Sequence, residues 1–287
     1  MSKFEALYRH LLAEGVASAE DFQRPEPVSR KTLIRVHEED YIDRFFQGRL
    51  EPRVIREIGL SWSDALVRRS RLEVGGTILA AKLAMTHGLA CQTAGGTHHA
   101  FPDRGSGFCV LNDLAVAARW ALDRGLVQRV LLLDLDVHQG DGSAFIFKDE
   151  PAVFTCSIHC ERNFPVRKQQ SDLDVGLPRG VSDEAYLQTL KNTLLQIEAR
   201  FCPDLVFYDA GVDVHESDRL GHLALTYEGL LARDRLVLSH CAAKRWPVAA
   251  VIGGGYAHDI DELSFRHGQL HRAAEDVWRD HFLKTSA

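Results

Sequence analysis

Five short apolar runs recur along the chain: "LACQTA" at 89–94, "RVLLLDLDV" at 129–137, "AVFTCSI" at 152–158, "DLVFYDA" at 204–210 and "PVAAVIG" at 247–253. They have the length of strands and mostly lack polar alternation, the pattern of parallel strands covered on both faces. Helical patterns separate them. Ser61-x-x-Asp64 reads as a capping box opening a helix to about Met85, with Gly88 as its stop. Asn112 opens "NDLAVAARWALDRG", which Gly125 closes, and "SDEAYLQTLKNTLLQIEARF" and "TYEGLLARDRLVLSHCAAKRW" supply two more helices. The last thirty residues also read as helix, as does the charged, amphipathic start "MSKFEALYRHLLAEG". Strand and helix alternate without repeats or linkers, so the expectation is one α/β domain over 1–287, built on an open, mostly parallel sheet with helices on both faces.

Composition narrows the function. A net charge of −6 over 287 residues gives no electrostatic case for nucleic acid or an anionic membrane. No uncharged apolar run is long enough to span a bilayer, and the start has no signal-peptide core. The six cysteines form no C-x-x-C pair or regular framework, so they read as reduced, mostly buried thiols in a cytoplasmic protein.

Polar clusters follow four of the apolar runs: "GGTHHAF" after 89–94, "DVHQGDG" after 130–135, "AGVDVHESDRLG" after 205–209 and "GGGYAHD" after 248–252. Ligands of open α/β sheets bind beyond the carboxyl ends of the strands, so the four clusters converge on one rim. In "LLLDLDVHQGDG", Asp134, Asp136 and His138 fall at alternate positions and point to one face. Buried carboxylates are costly unless paired or bound to a cation. Asp136 and His138 are metal ligands at i, i+2, and Asp213 is the best third; three protein ligands leave a position for water at a catalytic zinc. His98 and His99 suit general-base work, with Asp134 and Asp141 as the carboxylates available to orient them. Tyr256, after three glycines, can offer its hydroxyl to an oxyanion.

These blocks, with "GGTHHAFPDRGSGFCVLND" and "SIHCERNFP", resemble the zinc-dependent histone deacetylase superfamily, most closely its class IV-like bacterial members. The resemblance implies an arginase/deacetylase-type sheet and hydrolysis of an acetyl or longer acyl group from lysine in a protein or peptide, with two alternatives: an acetylpolyamine-type deacetylase of a small acylated amine, or a catalytically weak binding protein of the same fold. By motif, Asp136, His138 and Asp213 bind zinc, His98 and His99 pair with Asp134 and Asp141, and Tyr256 polarises the amide carbonyl. Gly107, Phe108 and Phe164 match the acyl-lysine tunnel. Potassium is implied at one site using Asp134, Ser157 and carbonyls of Asp136, His138 and Ile158, and at another around Phe147 and Val153. An arginase-like ureohydrolase would need further aspartates for a second metal, which these motifs do not offer.

Other residues read as structural. His37 and Cys109 are expected in packing, and His159, His215, His222 and His258 at the surface or behind the site. "RSRLEV" and "KRW" read as solvated charge clusters. Relatives by resemblance place a strand and loop before the "M-x-K-F" helix, so two readings stand side by side: a shortened start, or a more open pocket floor that tolerates longer acyl chains.

Overall fold

Every residue of β2 (Val130–Asp134) is buried, and its side chains divide between two cores. Leu131 and Leu133 face one cluster, whereas Val130 and Leu132 face the other. That two-sided burial is why the run shows no polar alternation. The same division holds for β5 (Leu205–Asp209), where Val206 and Tyr208 oppose Leu205 and Phe207.

The computed structural model describes residues 2–283. The other strands are β1 (Leu89–Cys91), β3 (Val153–Cys160), β4 (Leu173–Leu177) and β6 (Val248–Val251). They form one sheet in the order β1-β6-β5-β2-β3-β4, and every neighbouring pair is parallel. Helices α1 (Ser2–Ala13), α8 (Asp183–Arg200), α9 (Tyr227–Lys244) and α10 (Ile260–Trp278) supply the apolar side chains of one face. The other face is covered chiefly by α3 (Glu39–Phe46), α5 (Asp64–His87) and α6 (Asp113–Asp123), with the short α2 (Arg30–Leu33), α4 (Pro52–Ile58) and α7 (Asp141–Phe147) around them. This is the single-domain α/β architecture expected. Among the described residues no helix is long and apolar enough to cross a membrane.

Several boundaries differ from the sequence reading. The cap of α5 is Ser63, whose Oγ accepts from the Leu66 N–H at 3.1 Å; Ser61 lies outside the helix. Strand β4 was not expected, because its "LDVGL" alternates in exposure at the sheet edge and lacks an apolar run. Asn112 does cap α6, accepting from the Ala115 N–H at 2.9 Å. The C-terminal helix runs as α10 to Trp278; the expectation for 284–287, and for Met1, lies outside the described residues.

The strand order sets the site. From β2 the chain moves to β3 and β4, then returns across β2 to β5 and continues away to β6. The connections leaving β2 and β5 therefore diverge, opening a crevice at the carboxyl ends of these adjacent strands.

Candidate active site

β2 ends at Asp134, so Asp136 and His138 stand on the turn beyond it, and their convergence comes from local hydrogen bonds instead of strand alternation. The Asp136 N–H donates to Asp134 Oδ1 at 3.1 Å, and the His138 N–H to Asp136 Oδ1 at 2.9 Å. From beyond β5, Asp213 reaches across the crevice and accepts the Val137 N–H at 2.9 Å. Nδ1 of His138 consequently lies 3.0 Å from Asp136 Oδ1 and 3.1 Å from Asp213 Oδ2. Asp136 and Asp213 are 1% and 0% exposed, so neither charge is eased by water.

This cluster suits a dication. The ligand atoms of Asp136, His138 and Asp213 lie within 4.8 Å of one another. In the protein alone one imidazole must serve two buried carboxylates. Burial would depress the His138 imidazole, but its contacts with Asp136 and Asp213 push it up to about 10. Burial and the neighbouring Asp136 raise Asp213 to about 7. A bound dication would replace that proton and leave the imidazole neutral and both carboxylates ionised, the forms that ligate. The backbone makes room: a Cβ on Gly254 would stand 2.2 Å from Asp213 Oδ2 and 2.5 Å from Asp136 Oδ2. The Gly254 N–H instead donates to Asp136 Oδ2 at 2.8 Å.

Beside the cluster stand two His–Asp pairs. His98 Nδ1 is 2.7 Å from Asp134 Oδ2, and His99 Nδ1 is 2.6 Å from Asp141 Oδ1 at the start of α7. The environments separate them. Burial opposes protonation of His98, yet Asp134, Asp136 and Asp209 outweigh it and raise its pKa well above the ordinary value. Burial and the adjacent His98 bring His99 down to about 4. A bound dication would reduce the carboxylates' pull on His98.

The wall above is aromatic. Phe164 meets His99 edge-on at 4.9 Å between centroids, and Phe108 lies 5.8 Å from Tyr256. Both phenylalanines are more than two-fifths exposed despite their apolarity. Gly107 packs against His99 and Phe164: a Cβ there would be 2.7 Å from His99 Cδ2 and 3.2 Å from Phe164 Cε1. Phe108 adopts φ 67°, a left-handed backbone that costs a bulky residue about 1–3 kcal/mol. The end of α4 holds it there, because Glu57 O accepts the Gly107 N–H at 3.1 Å and Ile58 O the Phe108 N–H at 2.8 Å. Tyr256 is fixed through its backbone, donating from N–H to Asp218 Oδ2 at 2.7 Å. Burial and then the nearby Asp213 and Asp136 raise its phenol, keeping the proton available for donation.

The site also contains residues the motifs did not bring forward. Asp209, last in β5, pairs in register with Asp134, and Asp134 pairs with Ser157 of β3. Its carboxylate is fully buried, has no hydrogen-bond partner among the described residues, and forms a second cluster with His98 and Asp134. The signal was present, since "LVFYD" ends as "VLLLD" does. Asn163 Nδ2 donates to Leu220 O at 2.6 Å and lies 3.5 Å from His138 Nε2. Lys3 Nζ donates to Gly253 O at 3.3 Å from below. Glu73 overturns the reading of "RSRLEV" as a solvated cluster: it is buried, 3.7 Å from Arg69, and accepts the Gly95 N–H at 3.4 Å. In "KRW", Lys244 and Arg245 are exposed but Trp246 is buried.

The remaining candidates separate cleanly. Ser157 is buried with Oγ 3.0 Å from His159 Nδ1, and Ile158 follows it on β3. Phe147 and Val153 are buried near the other end of that strand. His37 is structural, placed between Phe101 O and the Asn112 N–H at 2.9 and 3.0 Å. Cys109 is buried and all six cysteines are free, although Cys202 is exposed. His159 and His215 are buried, whereas His222 and His258 are exposed.

Comparison with known proteins agrees with this geometry. The histone deacetylase domain family matches residues 1–268. An uncharacterized protein of Picosynechococcus sp. is 58% identical over 97% of this chain and 93% of its own. Histone deacetylase 2 of Arabidopsis thaliana is 30% identical over 96% of this chain and 75% of its own. The crystal structure of a histone deacetylase homologue from Aquifex aeolicus superposes with a TM-score of 0.79 at 26% identity, covering 96% of this chain and 76% of that one. With its paired His–Asp dyads and candidate metal cluster at the switch point of a parallel sheet, this chain belongs to the histone deacetylase family.

Proposed function

We propose that the protein is a zinc-dependent amidohydrolase that removes acetyl or longer acyl groups from lysine side chains. The observation that carries this reading is the convergence of Asp136, His138 and Asp213 beside two His–Asp pairs and exposed aromatic walls. Asp136, His138 and Asp213 would hold the zinc, which would supply the Lewis acidity needed to activate water near neutral pH.

The chain's own residues do the rest. Phe108 and Phe164 receive the apolar stem of the acyl-lysine, and Gly107 keeps the passage clear. His99, oriented by Asp141, takes the proton of the attacking water. His98, paired with Asp134, stays protonated and stabilises developing negative charge. The Tyr256 hydroxyl donates to the amide oxygen as that charge grows. The proton held by His99 then passes to the departing amine, so one water and one amide give a carboxylic acid and an amine, and the acid's proton moves to the amine to leave carboxylate and ammonium.

Finer parts of the proposal have separate support. Class IV-like bacterial membership rests on the sequence blocks, and a cytoplasmic setting fits the free cysteines. Potassium at Asp134, Ser157 and the carbonyls of Asp136, His138 and Ile158 would offset the row of buried acids, with Phe147 and Val153 supplying a second site. A dipicolinate-sensitive release of acyl groups from acetyl-, octanoyl- and myristoyl-lysine peptides tests the function. Each methylene accepted adds about 0.8 kcal/mol of binding. Absence of hydrolysis by the zinc-loaded protein on all three peptides would overturn the assignment.

A further inference from the structure

Arg233, on α9, is completely buried, and its hydrogen bonds reach no proposed reacting group. Its guanidinium is spent on backbone carbonyls. Nη1 donates to Gly211 O at 2.6 Å and Leu135 O at 3.4 Å, and Nη2 to Ala210 O at 3.1 Å. Nε donates to Asp234 Oδ1 at 2.9 Å, and that oxygen also accepts the Tyr208 hydroxyl at 2.5 Å.

Those carbonyls stand at a particular place. Leu135 O belongs to the peptide that enters Asp136, while Ala210 and Gly211 lead through Val212 into Asp213. The two turns nearly touch: a Cβ on Gly211 would be 2.4 Å from Asp136 Oδ2 and 2.8 Å from Asp136 Cα. One planar cation thus ties the turn beyond β2 to the turn beyond β5, across the crevice in which the candidate metal ligands meet. An arginine fork can serve three carbonyls in fixed directions, which the point charge of a lysine cannot.

We infer that Arg233, oriented by Asp234 and Tyr208, is a positioning residue that sets the spacing of Asp136 and Asp213 at the metal centre. The inference rests on the reading of Asp136, His138 and Asp213 as metal ligands. A purely structural ion pair would stabilise the fold without altering the metal's geometry or affinity.

The test uses the full chain, first stripped of metal and then loaded with Co2+ or Zn2+. Uptake of Co2+ with tetrahedral-type visible bands by the parent protein, lost in Asp213→Ala, checks the underlying ligand assignment. Its failure would remove that assignment before the clamp is in question. In Arg233→Met the bands should shift at full occupancy, and zinc affinity should fall about 10- to 100-fold in chelator competition. On an acyl-lysine peptide kcat should fall by a similar factor with KM little changed. Arg233→Lys should recover thermal stability better than it recovers the spectrum. If neither arginine variant folds, Tyr208→Phe, which releases only the support on Asp234, should give smaller changes in the same direction. Parent-like bands, zinc affinity and kcat in whichever of these variants folds would overturn the inference and leave Arg233 as scaffold.

Discussion

The backbone N–H of Tyr256 donates to Asp218 Oδ2 at 2.7 Å, while Asp218 Oδ1 accepts the N–H groups of Leu220 and Gly221 at 2.8 and 3.0 Å. One carboxylate therefore joins the turn after β6 to the segment following Asp213. The tyrosine hydroxyl is aimed by a residue it does not touch through its ring. Tyr256→Phe should lower kcat by about 100- to 1000-fold while zinc content and KM stay near parent values. Asp218→Asn should also lower kcat, by up to about 100-fold if the turn shifts by an ångström. Steady-state kinetics with metal analysis check both; near-parent turnover in Tyr256→Phe would remove the hydroxyl from the chemistry.

Metal content separates the two acidic clusters. The short His98–Asp134 contact already engages Nδ1 of that imidazole. The loaded protein should therefore hold about one zinc per chain, at the cluster with three ligands and an open position. Asp213→Ala should lose it, and Asp209→Asn should keep it. Inductively coupled plasma analysis after gel filtration reads both, and full occupancy in Asp213→Ala would show a different third ligand.

Gly254→Ala removes no ligand and no charge, yet its methyl would invade the space of Asp213 Oδ2 and Asp136 Oδ2. Displacing these oxygens should cost about 10- to 100-fold in zinc affinity, measured by competition with a chromophoric chelator. Unchanged affinity would mean that the cradle adapts freely.

His37 gives a pH dependence far from the chemistry. Burial lowers its imidazole to about 4, against an ordinary value of 6.5. Between these values the unfolded chain binds the proton and the folded chain does not, so stability rises with pH across this window. The contribution is fully present above pH 6.5 and is lost as pH falls toward 4, amounting to about 3 kcal/mol. Urea unfolding of His37→Gln should show a shallower decline from pH 6.5 to 4 than the parent. Equal slopes would place the acid sensitivity in the other buried histidines.

Much of this was legible because two-sided burial and metal ligation leave local marks. Continuous apolar runs gave the central strands, and Asn112 marked its helix because capping is read within a few residues. What stayed hidden depends on contacts distant in the chain. Arg233 lies 98 residues from Leu135, and Glu73 lies 22 from the Gly95 N–H it accepts, so both look like ordinary charges on helical faces. Asp209 differs. Its strand-end position matched Asp134, but a lone acid without a histidine beside it carried no ligand pattern. The short α4 left no apolar periodicity over seven residues.

That small helix has a consequence for how substrate preference can change. The Phe108 ring is placed by a left-handed peptide hung from the carbonyls of Glu57 and Ile58, and a Cβ on Gly59 would sit 3.0 Å from the ring itself. The bore of the proposed tunnel is therefore adjustable from outside it. Substitutions at 57–59 can tilt the aromatic wall without touching Asp136, His138 or Asp213, although the Phe108 ring lies 5.8 Å from Tyr256, so chain-length preference and the placement of that hydroxyl are linked through one ring.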